Sequence, residues 1–211
     1  MISKQPLLTF ILLILLISAC DNKRKQLPIL GKKEVVENVA STDTVYHTIP
    51  DFKFIDQDSN WVTQKDFQDK IYVADFFFTT CPTICPIMKS QMLRVYEKYK
   101  ENSEVAFLSH TIDPKHDTVA VLKEYANRLG INGKQWHMVT GDRDKIFEIA
   151  QSHYMVSAHE DPSAPGGAVH SGAFILVDKQ KRIRGYYDGT KEEEVDRLIE
   201  DIPLLIQIKS N

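Results

Sequence analysis

An apolar run, Ile71-Tyr72-Val73-Ala74-Asp75-Phe76-Phe77-Phe78, leads straight into Thr79-Thr80-Cys81-Pro82-Thr83-Ile84-Cys85-Pro86. That junction constrains the chain more than any other segment. The run reads as a buried strand. The residues after it show helical spacing at Ile84, Met88, Met92, Val95 and Tyr99, which predicts a helix over 84–99. If both cysteines lie on the first helical turn, their i, i+4 spacing puts both sulfurs on one face. A helix N-terminus favours thiolate over thiol. Two adjacent thiolates can form a disulfide or hold a soft metal ion such as Cu(I), and the spacing leaves both open. Common thiol oxidoreductases separate the pair by two residues. The third residue here changes the geometry of a disulfide and of a metal site alike, and Pro82 and Pro86 restrict the loop around the sulfurs.

Elsewhere the chain alternates strand and helix. Residues 51–55 and 61–63 read as a hairpin around the turn-forming Gln57-Asp58-Ser59-Asn60. Strands are predicted over 105–112, 136–140, 173–177 and 183–187. Helices are predicted over 118–129, ended by Gly130, and from the Asp142 cap to about His153. A last helix spans 191–206, with Pro203 expected to disturb its end. This alternation predicts an α/β layer fold. A dithiol at the end of the first central strand suggests a thioredoxin-like fold, with an N-terminal β-hairpin extension and an inserted helix-strand element.

The chain has 211 residues, enough for one ordinary domain plus a tail. A net charge of -3 gives no electrostatic case for nucleic-acid binding. No surface feature points to a stable oligomer, so a monomer is the default. The N-terminus differs from the rest: Lys4 precedes an apolar run from Leu7 to Ile17. A membrane span takes about 20 residues, so the run has the form of a secretory signal peptide. Ile17-Ser18-Ala19-Cys20 resembles the lipobox of bacterial lipoproteins. That resemblance implies a signal peptide over 1–19, lipid on Cys20, and a protein tied by acyl chains to the outer face of a membrane. Residues 20–48 are polar with little periodicity and read as a flexible tether, leaving 49–211 as the domain. With Cys20 lipidated, Cys81 and Cys85 remain as a matched pair, in a compartment where disulfides persist.

Two thiolates alone make a poorly selective site. Trigonal Cu(I) needs a third ligand, and histidine is the usual supplement. Of seven histidines, His170 stands out, because Gly166-Gly167-Ala168-Val169-His170-Ser171-Gly172 runs into the Phe174 strand. In a thioredoxin-like fold that loop faces the dithiol and carries a cis-proline, where this chain has His170 and Ser171. His47, His110, His116, His137, His153 and His159 read as surface or packing residues.

The segment from Phe78 to Pro86 resembles the metal-binding motif of the Sco/SenC family. Thr111-Ile112-Asp113-Pro114-Lys115-His116-Asp117-Thr118 is similar to that family's Ile-Asp-Pro-x-x-Asp-Thr segment, and 121–126 also fits. Val169-His170-Ser171 is similar to its distal histidine motif, and Pro50-Asp51-Phe52 and 63–67 match too. The resemblance implies a thioredoxin-like copper protein that delivers copper to the CuA centre during cytochrome c oxidase assembly. It implies Cys81, Cys85 and His170 as metal ligands, Cu(I) as the bound ion with Cu(II) left open, and a CuA-bearing subunit or another copper-receiving protein as partner. It places Asp113 either behind the ligands in a supporting role or as the cap of the loop before Thr118. Two departures stand out: the strand is unusually aromatic, and Asp75 is acidic within a buried run.

The same dithiol could instead act as a thiol-disulfide reductase toward a partner's cysteines, kept reduced by a thiol donor. Cys81, nearer the helix start, is then the better attacking thiol. A peroxiredoxin-like peroxidase fits poorly. Its peroxidatic cysteine would want a threonine three positions earlier, where Phe78 stands.

Overall fold

A computed structural model describes residues 26–38, 41–131, 134–161, 163–164 and 167–207. The predicted signal peptide and Cys20 lie outside the described residues. A seven-stranded mixed sheet forms the centre. Its strands are β3 (Lys53–Asp56), β4 (Trp61–Thr63), β5 (Ile71–Phe77), β6 (Val105–Thr111), β7 (Trp136–Thr140), β10 (Ala173–Val177) and β11 (Ile183–Asp188), in the order β11-β10-β5-β6-β7-β3-β4. β5, β6 and β7 run parallel, and the outer strands are antiparallel to their neighbours. Every residue of β5 and β6 is buried, as central parallel strands covered on both faces require. Two small hairpins lie outside this sheet: β1 (Lys33–Asn38) with β2 (Ser41–Tyr46), and β8 (Ala158–Glu160) with β9 (Ala168–His170).

The helices are α1 (Ile84–Tyr99), α2 (Val119–Arg128), α3 (Arg143–Glu148) and α4 (Glu192–Ile206). Asp142 caps α3 by accepting from the Lys145 N–H, and the helix continues as a π-helical turn, Ile149–His153. The β3-β4 hairpin adds to the β7 edge, and α2 with β7 forms the inserted helix-strand element. The thioredoxin-like arrangement expected from the dithiol position is the one observed. Pro203 sits inside α4 without ending it. A proline at 203 leaves the Ile199 carbonyl without its helical donor, and the Tyr99 hydroxyl donates to that carbonyl at 2.6 Å.

The segment read as a tether is a correction. From residue 26 to 48, its described part is folded rather than loose. Leu27 is buried. The Arg184 guanidinium donates to the Leu27 and Pro28 carbonyls and is itself held by Asp178 at 2.9 Å. The Leu30 N–H donates to the Ile183 carbonyl at 2.8 Å. These anchors act on backbone atoms, so a polar composition with no periodicity conceals them. All of them sit beside Ile183, which pairs with the Val177 end of β10. The C-terminal ends of the parallel strands, where the dithiol lies, form the opposite pole.

Candidate metal centre

β5 ends at Phe77, and the chain turns through Phe78, Thr79 and Thr80 before α1 begins at Ile84. Cys85 therefore occupies the first helical turn, while Cys81 sits in the loop ahead of it, its N–H donating to the Phe78 carbonyl at 3.3 Å. The arrangement with both cysteines on the helix is not the one adopted. Pro82 disfavours helical backbone at the residue before it, and the loop folds Cys81 back toward the helix instead. His170 ends β9 opposite Ala158, and the Ser171 N–H donates to the Ser157 carbonyl at 2.8 Å, which fixes the histidine on a paired hairpin. The donor atoms of Cys81, Cys85 and His170 all lie within 4.8 Å of one another, and all three residues are buried. Among the described residues this is the one group of three such side chains close enough to hold a metal ion.

Hydrogen bonding sets the tautomer. His170 Nδ1 lies 3.0 Å from the Ser171 carbonyl oxygen. A carbonyl only accepts, so Nδ1 carries the proton. The Nε2 lone pair then faces Cys85 Sγ at 3.1 Å, as a neutral imidazole must to accept a thiol proton or to bind a metal. Burial holds His170 below its ordinary range, against the opposing effect of its bond to Ser171. The two thiols differ. Burial would raise the Cys81 thiol, but hydrogen bonds from Cys85 and Thr83 outweigh it and the thiol is lowered. Cys85 is raised, first by burial and then by its neighbour Cys81. Thr83 precedes α1 without capping it, and its hydroxyl lies 3.6 Å from Cys81 Sγ instead. Phe78 meets the His170 ring edge-on at 5.9 Å between centres. A cavity of about 120 Å³, lined by residues including Phe78, Cys81, Thr83, Ile84 and His170, opens onto the ligands.

The SCO1/SenC family pattern matches this chain over residues 40–207. The chain belongs to the SCO1/SenC family. Its solved relatives include a SCO1/SenC family lipoprotein from Bacillus anthracis, 26% identical with a TM-score of 0.70, covering 76% of this chain and 96% of that one. BsSco, a member of the Sco family of cytochrome c oxidase assembly proteins, is 28% identical with a TM-score of 0.68, covering 77% and 95%. Arabidopsis thaliana ScoI, solved with copper bound, is 26% identical with a TM-score of 0.61, covering 73% and 97%.

In this SCO1/SenC chain, the residue that braces the cysteine loop is Asp117 rather than Asp113. Asp113 is half-buried and accepts from the His116 N–H at 3.3 Å, which is the loop-capping role. Asp117 is fully buried. Its carboxylate accepts from the Thr79 N–H at 3.0 Å and from the hydroxyls of Thr79 and Thr111. It thereby ties the turn two residues before Cys81 to the end of β6. Sequence reasoning passed over Asp117, although two adjacent threonines directly after a buried strand signal a need for a nearby acceptor.

The two departures in β5 resolve as packing. Buried Asp75 accepts from the Lys89 ammonium at 2.7 Å. Phe76 stacks on His110, Phe77 lies under the Lys89 ammonium, and Phe78 faces His170. The other histidines stay away from the ligands. His110 is in the core, His47 lies against the His153 carbonyl, His137 lies against Asp56, and His116 and His159 are exposed.

Proposed function

We propose that this chain binds copper as Cu(I) through Cys81, Cys85 and His170 and passes it to the CuA centre during cytochrome c oxidase assembly. The observation that carries the reading is the placement of two thiols and a correctly tautomerised imidazole within 4.8 Å of one another. Soft sulfur donors with one imidazole suit Cu(I). The copper-bound Arabidopsis relative and the assembly role of BsSco support it. Binding requires reduced thiols and a neutral imidazole, and releases the thiol protons. The burial that keeps His170 neutral favours that state. Cys81 lines the open cavity, so an incoming partner thiolate reaches the ion from its side, and ligands exchange one at a time.

Anaerobic Cu(I) titration of the reduced protein tests this. Tight one-to-one binding is expected, weakened at least a hundredfold in His170→Ala and Cys85→Ser, since each removes one of three donors. Absence of Cu(I) binding by the wild type would sink the reading. It would leave the dithiol as a reductant, a role that the unequal thiols favour. In that role Cys81 thiolate attacks a partner disulfide, forming a mixed disulfide and releasing one partner thiolate, and Cys85 then attacks Cys81 Sγ and displaces the partner's second sulfur. The product is a Cys81–Cys85 disulfide and a reduced partner, and an external thiol donor restores the pair.

We further infer that Cys20 carries lipid and holds the domain at the outer face of a membrane. The B. anthracis relative is a lipoprotein. Leu27 follows Cys20 by seven positions, a reach of at most about 25 Å. Leu27 docks at the pole away from the ligands, so the anchored domain would present its metal site outward, toward a partner. A Cys20→Ser variant should move from the membrane to the soluble fraction while its Cu(I) affinity stays unchanged. Retention in the membrane would remove the anchor from the picture.

A further inference from the structure

Beneath the dithiol lies a buried charge that the ligand set does not use. Lys89 is 1% exposed and stands four residues after Cys85 on α1, one turn along the same face. Its Nζ donates to Asp75 at 2.7 Å and to the Ser109 hydroxyl at 3.0 Å, and lies 3.9 Å from the centre of the Phe77 ring. Ser109 in turn donates to the other Asp75 oxygen and accepts from Trp136 Nε1 at 2.9 Å. An apolar pair of similar shape would commonly fold as well or better than such a buried ion pair. Stability alone is therefore a weak reason for Lys89 to be charged here.

Counting charge at the ligands supplies a stronger one. Two thiols and a neutral imidazole carry no net charge. Taking up Cu(I) with release of two protons leaves two thiolates, one monovalent cation and the imidazole, a net charge of minus one. Cu(II) on the same ligands leaves a neutral centre. A fixed positive charge nearby therefore favours the Cu(I) complex and gives the Cu(II) complex nothing. The ammonium, on α1, is the end of the pair that shares a helix face with Cys85. Its charge reaches Cys85, where it favours thiolate; at His170 the Asp75 carboxylate, which favours protonation, outweighs the opposing ammonium, so the pair acts as a positive charge on the Cys85 side only.

We propose that Lys89, held in place by Asp75, is a positioning charge that makes the centre select copper in its monovalent form. This rests on the copper reading above and adds a selectivity device to it. The test uses the purified full chain and two neutral replacements of the pair. Asp75→Asn with Lys89→Gln keeps the hydrogen bonding, and Asp75→Leu with Lys89→Met keeps the volume. Cu(I) and Cu(II) affinities are measured by competition at one pH, with thermal melting alongside. Both variants should melt near the wild type. An ammonium about one helical turn away, partly offset by the carboxylate removed with it, predicts roughly three- to tenfold weaker Cu(I) binding, with Cu(II) affinity held within about twofold. Equal weakening of both ions would assign the pair a structural role and overturn the proposal. So would unchanged Cu(I) affinity, or failure of both variants to fold. A wild type without Cu(I) binding would overturn the copper reading and this one together, whereas equal wild-type and variant affinities would overturn this one alone.

Discussion

Replacing Asp117 with alanine is expected to destabilise the domain by about 3 to 5 kcal/mol and to weaken Cu(I) binding by about ten- to a hundredfold. The carboxylate is fully buried and satisfies one backbone N–H and two hydroxyls. Alanine leaves the buried Thr111 hydroxyl and the two half-buried donors of Thr79 unpaired, a buried one costing about 1 to 3 kcal/mol before relaxation and the half-buried ones less. The metal effect follows from position. Thr79 lies two residues before Cys81, and Cys81 is the ligand that no helix or strand holds. Freeing Thr79 frees the sulfur. Asp117→Asn should recover part of both losses, because its amide oxygen can still accept from the Thr79 N–H while its NH₂ faces the hydroxyls less well. Denaturant unfolding and Cu(I) competition on the same preparations check the pair of effects. A variant that loses stability but binds Cu(I) like the wild type would show that Cys81 is positioned by something other than this clamp. By the same reasoning, Asp113→Ala should leave Cu(I) binding unchanged.

The ligands were legible in the sequence because their chemistry is local or is fixed by topology. Cys81 and Cys85 declare themselves by spacing. His170 follows once the dithiol is placed at a strand end, because the fold then dictates which loop faces it. Regular elements were legible for a similar reason. Helix 84–99 and strands 136–140 and 173–177 have the predicted bounds, the helix because its apolar positions repeat along one face and the strands because each is a short run buried almost throughout. What stayed hidden depends on contacts between elements. Asp75 looked anomalous only because its partner, Lys89, lies on another element, 14 positions later. Lys89 adjoins an apolar helix face, and spacing alone does not bury it. Asp117 and Asp113 are both acidic and four positions apart, so nothing local says which one reaches Thr79. The docking of 27–30 onto β11 is made largely by backbone carbonyls and one N–H, which side-chain patterns do not report.

His110 gives the domain a sensitivity to acid that a His110→Phe variant should abolish. The ring is fully buried, stacked on Phe76 at 5.0 Å and edge-on to Phe54 at 5.3 Å. Neither ring nitrogen has a hydrogen-bond partner among the described residues. Burial alone pushes the imidazole down to about 3, against about 6.5 in the unfolded chain. Between those values the unfolded state binds the extra proton and the folded state does not. Stability contributed by the neutral ring is therefore complete above about pH 6.5 and is lost as the pH falls toward 3, by about 1.4 kcal/mol per unit. At pH 4 the loss from this one residue is about 3 kcal/mol, a large share of the stability of an ordinary domain. Phenylalanine keeps the aromatic contacts and removes both unpaired nitrogens, at the risk of slight overpacking. The two proteins should then differ by about 1 kcal/mol or less at pH 7.5. Urea midpoints measured from pH 7.5 to 4 should fall more steeply for the wild type, with the gap opening below pH 6.5. Parallel profiles would mean that the folded protein accepts the proton on His110, and that the aromatic cage of Phe52, Phe54, Phe76 and Tyr154 opens to admit water around it.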